Sequence, residues 1–149
     1  MQLLSIFLPY ADLIIRLATA IVLGGLIGTE RTLSHRRAGM RTYALVSLGS
    51  CLFVLVGELI APMSGNGTDA LRMASQIITG IGFLGAGLII VKGTHISGLT
   101  TAAGLWVAAG IGMAAGFGLF GLALLATLFT LFVLVILRTV EDGIKEKVE

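Results

Sequence analysis

Hydrophobic residues run along this chain in five long blocks separated by short polar stretches. We read the blocks at Ala11–Gly28, Thr42–Ile60, Leu71–Val91, Leu99–Ala115 and Phe117–Leu137. Each holds roughly 17–21 residues, enough at ~1.5 Å per residue to cross a hydrocarbon core of about 30 Å. Helices are the form open to such blocks, because an open sheet edge in lipid leaves backbone groups unpaired. The pattern predicts an all-α, polytopic membrane helix bundle of about five transmembrane helices. It forms a single domain over residues 1–149, with 138–149 as a short cytoplasmic tail. The faintest boundary lies between the fourth and fifth blocks. There the Gly-rich stretch Gly110 to Gly121 leaves a long tilted pair or a re-entrant turn open.

Composition agrees with that solvent. Of 149 residues 56% are hydrophobic and 12% charged, with a mean hydropathy of +1.03. A soluble domain carries about 25% charge. An ordinary water-soluble enzyme, a disordered chain and a nucleic-acid binder are excluded, and the net charge of +2 is too small to signal nucleic acid. No Lys or Arg occurs from Met1 to Tyr10, so no signal peptide is expected. The lone Cys51 lies in an apolar run and reads as a core or lipid-facing residue.

The basic residues predict orientation. Arg31, Arg36, Arg37 and Arg41 follow the first block, Lys92 follows the third, and Arg138, Lys145 and Lys147 follow the fifth. With five spans all eight fall on one side, which the positive-inside rule makes cytoplasmic. The expected topology is N-out/C-in. The other half collects Arg16 and Arg72 with the acids Asp12, Glu58 and Asp69.

Ionisable groups at membrane depth are costly, roughly 2.5–3.5 kcal/mol at the bilayer centre on insertion scales, and usually face a bundle interior or a cavity. Asp12 and Arg16 stand four apart on one helix face and can pair. Asp69, Arg72, Gln76 and Thr79 are spaced three, four and three, a polar stripe descending about two and a half turns into the third span. Asp69 alone would be a helix cap. The continuing stripe points to a functional or water-lined site, with Asp69 attracting a cation and Arg72 fixing the carboxylate or meeting an anion or head group. On the opposite side Glu30 could pair with Arg41 across the loop; the plainer reading is a topogenic basic loop with one stray acid.

Glycine is 21 of 149 residues, about twice ordinary usage. Gly24 and Gly28 form GxxxG, and Gly104, Ala108, Gly112 and Gly116 recur every four residues, as do Gly110, Ala114 and Gly118. Such small stripes let helices approach backbone to backbone, within one chain or in a homodimer. Gly80, Gly82 and Gly85 match G-x-G-x-x-G, but with no strand before it and no aqueous pyrophosphate a dinucleotide site is rejected. With Gly87 they mark the third span as the one to bend or unwind. Asn66-Gly67-Thr68 is formally a glycosylation sequon. His35 and His95 lie in loops without an acidic cluster, so no metal site and no cofactor are expected. No catalytic constellation is found.

Three stretches together resemble the MgtC/SapB family of bacterial membrane proteins. The first is Gly25-Leu26-Ile27-Gly28-Thr29-Glu30-Arg31 with Ala38-Gly39-Met40-Arg41-Thr42 and Leu45-Val46-Ser47-Leu48-Gly49-Ser50. The second joins Asp69 and Arg72 to the run from Gln76 to Gly87. The third runs from Gly98 through Thr100, Thr101 and Gly104 to Trp106. The resemblance implies an inner-membrane protein connected with magnesium limitation and, in pathogens, with survival inside host cells. Better-known members are not established as magnesium transporters, and one is proposed to act on the membrane sector of ATP synthase. The family's essential acid maps onto Asp69. Glu30, Arg41, Arg72 and Gln76 match further motif positions. Two departures stand out. Ala70 replaces a frequent Pro after the acid, and the cytoplasmic C-terminal domain of longer members is not expected beyond Leu137.

Two functions compete. One is a non-enzymatic membrane protein that binds or regulates a membrane partner within the lipid bilayer. The alternative is a small magnesium or proton transporter or channel with Asp69 at its site. The absence of charge between Leu99 and Leu137 favours the first, since a pathway should be lined throughout.

Overall fold

A computed structural model describes residues 10–64 and 69–145. Among them are α1 (Ala11–Leu33), α2 (Met40–Ser64), α3 (Asp69–Leu88), strands β1 (Ile90–Lys92) and β2 (His95–Ser97), α4 (Leu99–Gly116) and α5 (Phe120–Phe132). A π-helical segment, Val133–Leu137, carries α5 without a break into α6 (Arg138–Lys145). Among the described residues four helices are long and apolar enough to cross a membrane: Ala11–Leu33, Met40–Pro62, Leu99–Gly116 and Phe120–Glu141. The apolar run of α3 is interrupted by Arg72 and Gln76.

Consecutive long helices reverse direction, as three long-range contacts within the chain show. Tyr43, early in α2, donates its hydroxyl to the Thr101 carbonyl, early in α4, at 3.2 Å. Arg16, early in α1, reaches the Gly116 carbonyl that ends α4. Arg138, after α5, reaches Ser34 after α1.

Local chemistry explains each turn. After α1, Ser34 N–H returns to the Glu30 carbonyl at 2.9 Å and His35 takes φ +53°. The Thr32 hydroxyl then accepts from Met40 N–H at 3.0 Å, supplying a cap for α2 from the preceding helix. Between α4 and α5, Leu119 N–H bonds Ala114 O and Gly118 N–H bonds Ala115 O, with Gly118 at φ +70°. This is a Schellman turn, which a glycine in the left-handed region permits. It makes the fourth and fifth blocks two separate helices joined tightly, neither a tilted pair nor a re-entrant loop.

The third block differs from its sequence reading. The helix ends at Leu88, and the chain turns into a hairpin in which Val91 faces Ile96 and Lys92 faces His95. Its closing residue, Gly98 at φ +95°, packs against the Leu88 carbonyl oxygen where a Cβ would sit. The return of the hairpin onto the end of α3 thus forces extended backbone where hydropathy alone carries the span to Val91. The helix does not unwind at Gly80–Gly87: α3 runs as continuous helix through all four glycines.

The core is built on α4. Leu105, Ala108, Ala109, Ile111, Ala114 and Ala115 are buried there. Residues Tyr43, Ser47, Cys51 and Val54 form a ridge on α2, spaced for one helix face. On one side the ridge meets α1, where a Cβ at Gly24 would lie 2.7 Å from Ser47 Cβ and one at Gly28 would lie 2.6 Å from Met40 Cα. On the other it meets α4. There Gly104 lies under the Tyr43 hydroxyl, Gly112 against the Ser47 carbonyl, and Gly116 within 2.8 Å of Val54 Cβ, measured from the missing Cβ. The buried Ser47 hydroxyl has no hydrogen-bond partner among the described residues, wedged between these two backbones. Hydroxyls of Thr29, Thr32, Ser50, Thr127 and Thr130 each bond the carbonyl four residues back, which satisfies them inside their own helices.

Candidate functional site

Polar side chains gather in three places. At the first, Arg16 holds three elements together. Its Nε lies 2.8 Å from Asp12 Oδ2, a charge contact without hydrogen-bond alignment. Its Nη1 donates to Glu58 Oε2 at 2.9 Å and to the Gly116 carbonyl at 2.7 Å. The expected Asp12–Arg16 pair is present, and Glu58 on α2 joins it. Because Glu58 is 38% exposed, solvent weakens its share. Glu58→Gln is expected to cost below about 1 kcal/mol, read as a small shift in thermal unfolding in detergent.

At the opposite end Glu30 pairs with Arg31. Arg31 is only 2% exposed and is among the largest fully enclosed side chains. Glu30 also accepts from the Ser34 hydroxyl at 2.7 Å, and Arg138 donates to that hydroxyl at 2.6 Å. The chain Arg31–Glu30–Ser34–Arg138 therefore ties α1 to the helix that follows the π segment. Glu30, Ser34, Val135 and Arg138 help line a pocket of about 350 Å³. The pair of Glu30 with Arg41 is not formed. The carboxylate turns to its neighbour Arg31, which enters the bundle, while Arg41 stays exposed on the first turn of α2. Sequence reading placed Arg31 in a basic loop and gave no sign of its burial, since one-residue spacing puts no two side chains on a common face.

The third place is α3. Its bundle side is set by Ile81 and Gly85, the buried residues, packing beside α2 and α4. Arg72, Gln76, Thr79 and Phe83, spaced four, three and four, lie on the opposite side and are all exposed, Phe83 to 81%. The polar stripe thus points away from the bundle. Asp69 opens α3 on the stripe's register, while its side chain lies outside the described residues, as does the sequon Asn66-Gly67-Thr68. Ser75 donates to the Arg72 carbonyl at 2.8 Å and Thr79 to the Ser75 carbonyl at 3.3 Å. Gln76 has no hydrogen-bond partner among the described residues. It borders an apolar cleft of about 610 Å³ between α2 and α3, floored by Gly49 and Gly80, and with Arg72 a smaller one of about 240 Å³ beyond it.

The remaining motif positions separate by environment. Nothing described lies within 4 Å of a Cβ at Gly80, Gly82 or Gly87, and at Gly85 only Ala102 does, at 3.6 Å. Thr101 is buried under Tyr43, Thr100 is exposed, and Trp106 is 56% exposed on the outer side of α4. Among the described residues no group of three or more His, Cys, Asp or Glu is placed to hold a metal ion.

Comparison with known proteins gives a consistent picture. The model of the MgtC family matches residues 17–142. Protein MgtC of Brucella abortus (strain 2308) is 48% identical over 95 residues, covering 64% of this chain and 38% of its own length. A protein of Escherichia coli (strain K12) named putative magnesium transporter YhiD is 43% identical over 97 residues, 62% of this chain and 45% of that protein. Protein MgtC of Salmonella typhimurium (strain 14028s) is 42% identical over 138 residues, 93% of this chain and 56% of that protein. The chain therefore spans about half the length of these curated relatives, or less. No solved structure matches.

Proposed function

The chain belongs to the MgtC family as a multi-pass inner-membrane protein, and from that premise we propose that it works without catalysing a reaction, by binding a membrane partner and changing that partner's activity when magnesium is scarce. The observation that carries this reading is the direction of the stripe. Arg72, Gln76 and Thr79 stand on the outside of the bundle, where a conduit through a single copy would need them inside. Lipid tails offer such groups no hydrogen bonds, whereas a neighbouring protein does. The uncharged stretch from Leu99 to Leu137 supports the same conclusion.

Five spans with the N-terminus outside and the C-terminus inside are the topology this reading uses. The reversal of consecutive helices supports it, as does the clustering of Arg31, Arg36, Arg37, Arg41, Lys92 and Arg138 at one end. The membrane sector of ATP synthase is the first partner to test, by family resemblance. The deciding experiment is magnesium and proton flux into liposomes holding purified wild type or Asp69→Asn. The expected outcome is no flux above empty liposomes in either. Flux that depends on Asp69 overturns the reading in favour of a transporter.

A further inference from the structure

We infer that the cleft between α2 and α3 is a phospholipid site, with one acyl chain lying in the cleft and the phosphate of an anionic head group held by Arg72. The inference goes beyond the partner reading, because the cleft and the outward stripe are neighbouring faces of α3. Met73, Ile77, Gly80 and Leu84 line the cleft, each one residue on from Arg72, Gln76, Thr79 and Phe83 of the stripe. Arg72 and Gln76 stand on the border and reach the cleft as well, while Thr79 and Phe83 do not line it and stay open to a partner.

The order of chemistry along the cleft selects the occupant. Arg72 lines the end where α3 begins, and its guanidinium has no partner among the described residues. Glu58, beside Gly57 in the opposite wall, gives its carboxylate to Arg16 instead. Gln76 follows one turn later, about 6 Å along the axis at 1.5 Å per residue. It lines both the end compartment of about 240 Å³ and the wider one of about 610 Å³, so the two are continuous. Beyond it the wall is almost wholly apolar, with Ile77, Ile81 and Leu84 from α3 against Leu45, Val46 and Phe53 from α2. The Ser50 hydroxyl in that wall is already satisfied by the Val46 carbonyl at 2.9 Å. Cation, amide and hydrocarbon in that order match phosphate, ester carbonyl and acyl chain along a glycerophospholipid. Arg72 is placed to donate to the phosphate and Gln76 to an ester carbonyl one turn deeper. A bare hydrocarbon tail would leave both polar groups unpaired.

Length and space agree. From Arg72 to Leu84 the cleft follows about 18 Å of helix, against about 15 Å for the hydrocarbon of one leaflet. Two glycines leave the room, since nothing described lies within 4 Å of a Cβ at Gly49 or Gly80, and both line the wider compartment.

The test is native mass spectrometry of detergent-purified protein mixed with dioleoylphosphatidylglycerol or dioleoylphosphatidylethanolamine at equal concentration. Wild type is expected to retain one phosphatidylglycerol per chain and several-fold less phosphatidylethanolamine. Arg72→Gln should lower phosphatidylglycerol retention about tenfold, to the level of the zwitterionic lipid. Gly80→Leu, which fills the cleft, should lower retention of both. Arg36→Gln, at the other end of the bundle, should change neither, and glycerophosphate, which has the phosphate without the chains, should not be retained. Arg72 is exposed and no described atom lies within 4 Å of the Gly80 Cβ position, so these variants should keep the wild-type elution volume and helical circular dichroism. Unchanged retention in Arg72→Gln, an equal loss in Arg36→Gln, or full retention in Gly80→Leu overturns the site. So does equal retention of the two lipids by wild type, or retained glycerophosphate. Wild type that keeps neither lipid, alone or paired with a second copy, overturns it too.

Discussion

Gly112→Ala is expected to disrupt the fold. The added methyl would be driven into the Ser47 carbonyl oxygen and its carbon, backbone atoms of α2 that no rotamer change can move. Relief requires α2 and α4 to separate, which also loosens Gly104 from Tyr43 and Gly116 from Val54. Overpacking a core costs typically 1–3 kcal/mol and more where backbone blocks backbone, so a loss of about 3 kcal/mol is the expected floor. Gly110→Ala, two residues away on the same helix, is the control. Nothing described lies within 4 Å of its Cβ, and replacing helical glycine by alanine is worth up to about 1 kcal/mol. The chain carries its own reporter. Cys51 is the sole cysteine and is fully buried, so a thiol-reactive dye reads unfolding directly in detergent. Gly112→Ala should melt on the order of 10 °C lower and Gly110→Ala no lower than wild type. Equal melting of the two would mean that the α2–α4 crossing is looser than described.

Glu30→Gln should produce the other large effect, from charge instead of volume. Arg31 is 2% exposed and Glu30 is its counter-charge. Removing one partner of a buried pair leaves the other uncompensated, at a cost of about 3–5 kcal/mol. The glutamine still offers an acceptor to Ser34, so the loss isolates the charge. Replacing both, as Glu30→Gln with Arg31→Met, should recover most of the stability, because the buried guanidinium is then gone. The same thiol reporter measures all three variants. An Arg31→Met change that melts like Glu30→Gln, with no recovery in the double variant, would rule out the pair as the origin.

The contrast between these sites shows what was readable in the residues. Helices follow from hydropathy and lipid, so the apolar blocks announced them. Four-residue glycine spacing announces a smooth helix face, but spacing does not say whether the face is covered. Gly104, Gly112 and Gly116 lie against α2, while Gly80, Gly82 and Gly87 look outward. The polar stripe was likewise visible as a line, and its direction was not, because direction depends on which side Ile81 and Gly85 turn to the bundle. The hairpin at Ile90–Ser97 escaped the pattern because Ile89, Ile90 and Val91 continue an apolar run and only the contact of Gly98 with Leu88 ends it. Burial of Arg31 comes from packing between elements distant in sequence, information that no window along the chain contains.

The π-helical segment Val133–Leu137 makes one of these contacts a matter of arithmetic. Such a segment holds one residue more per turn than the helix around it, so everything beyond it is rotated by a single step relative to an uninterrupted helix. Deleting one residue there would restore ordinary helix and keep the later residues in register, whereas ordinary helix formed with all five residues kept would swing Arg138 through about 100° at 3.6 residues per turn. Its guanidinium would leave Ser34, although every side chain in the chain Arg31–Glu30–Ser34–Arg138 would still be present. The join between the first helix and the last is encoded there by residue count and winding together, independent of residue identity.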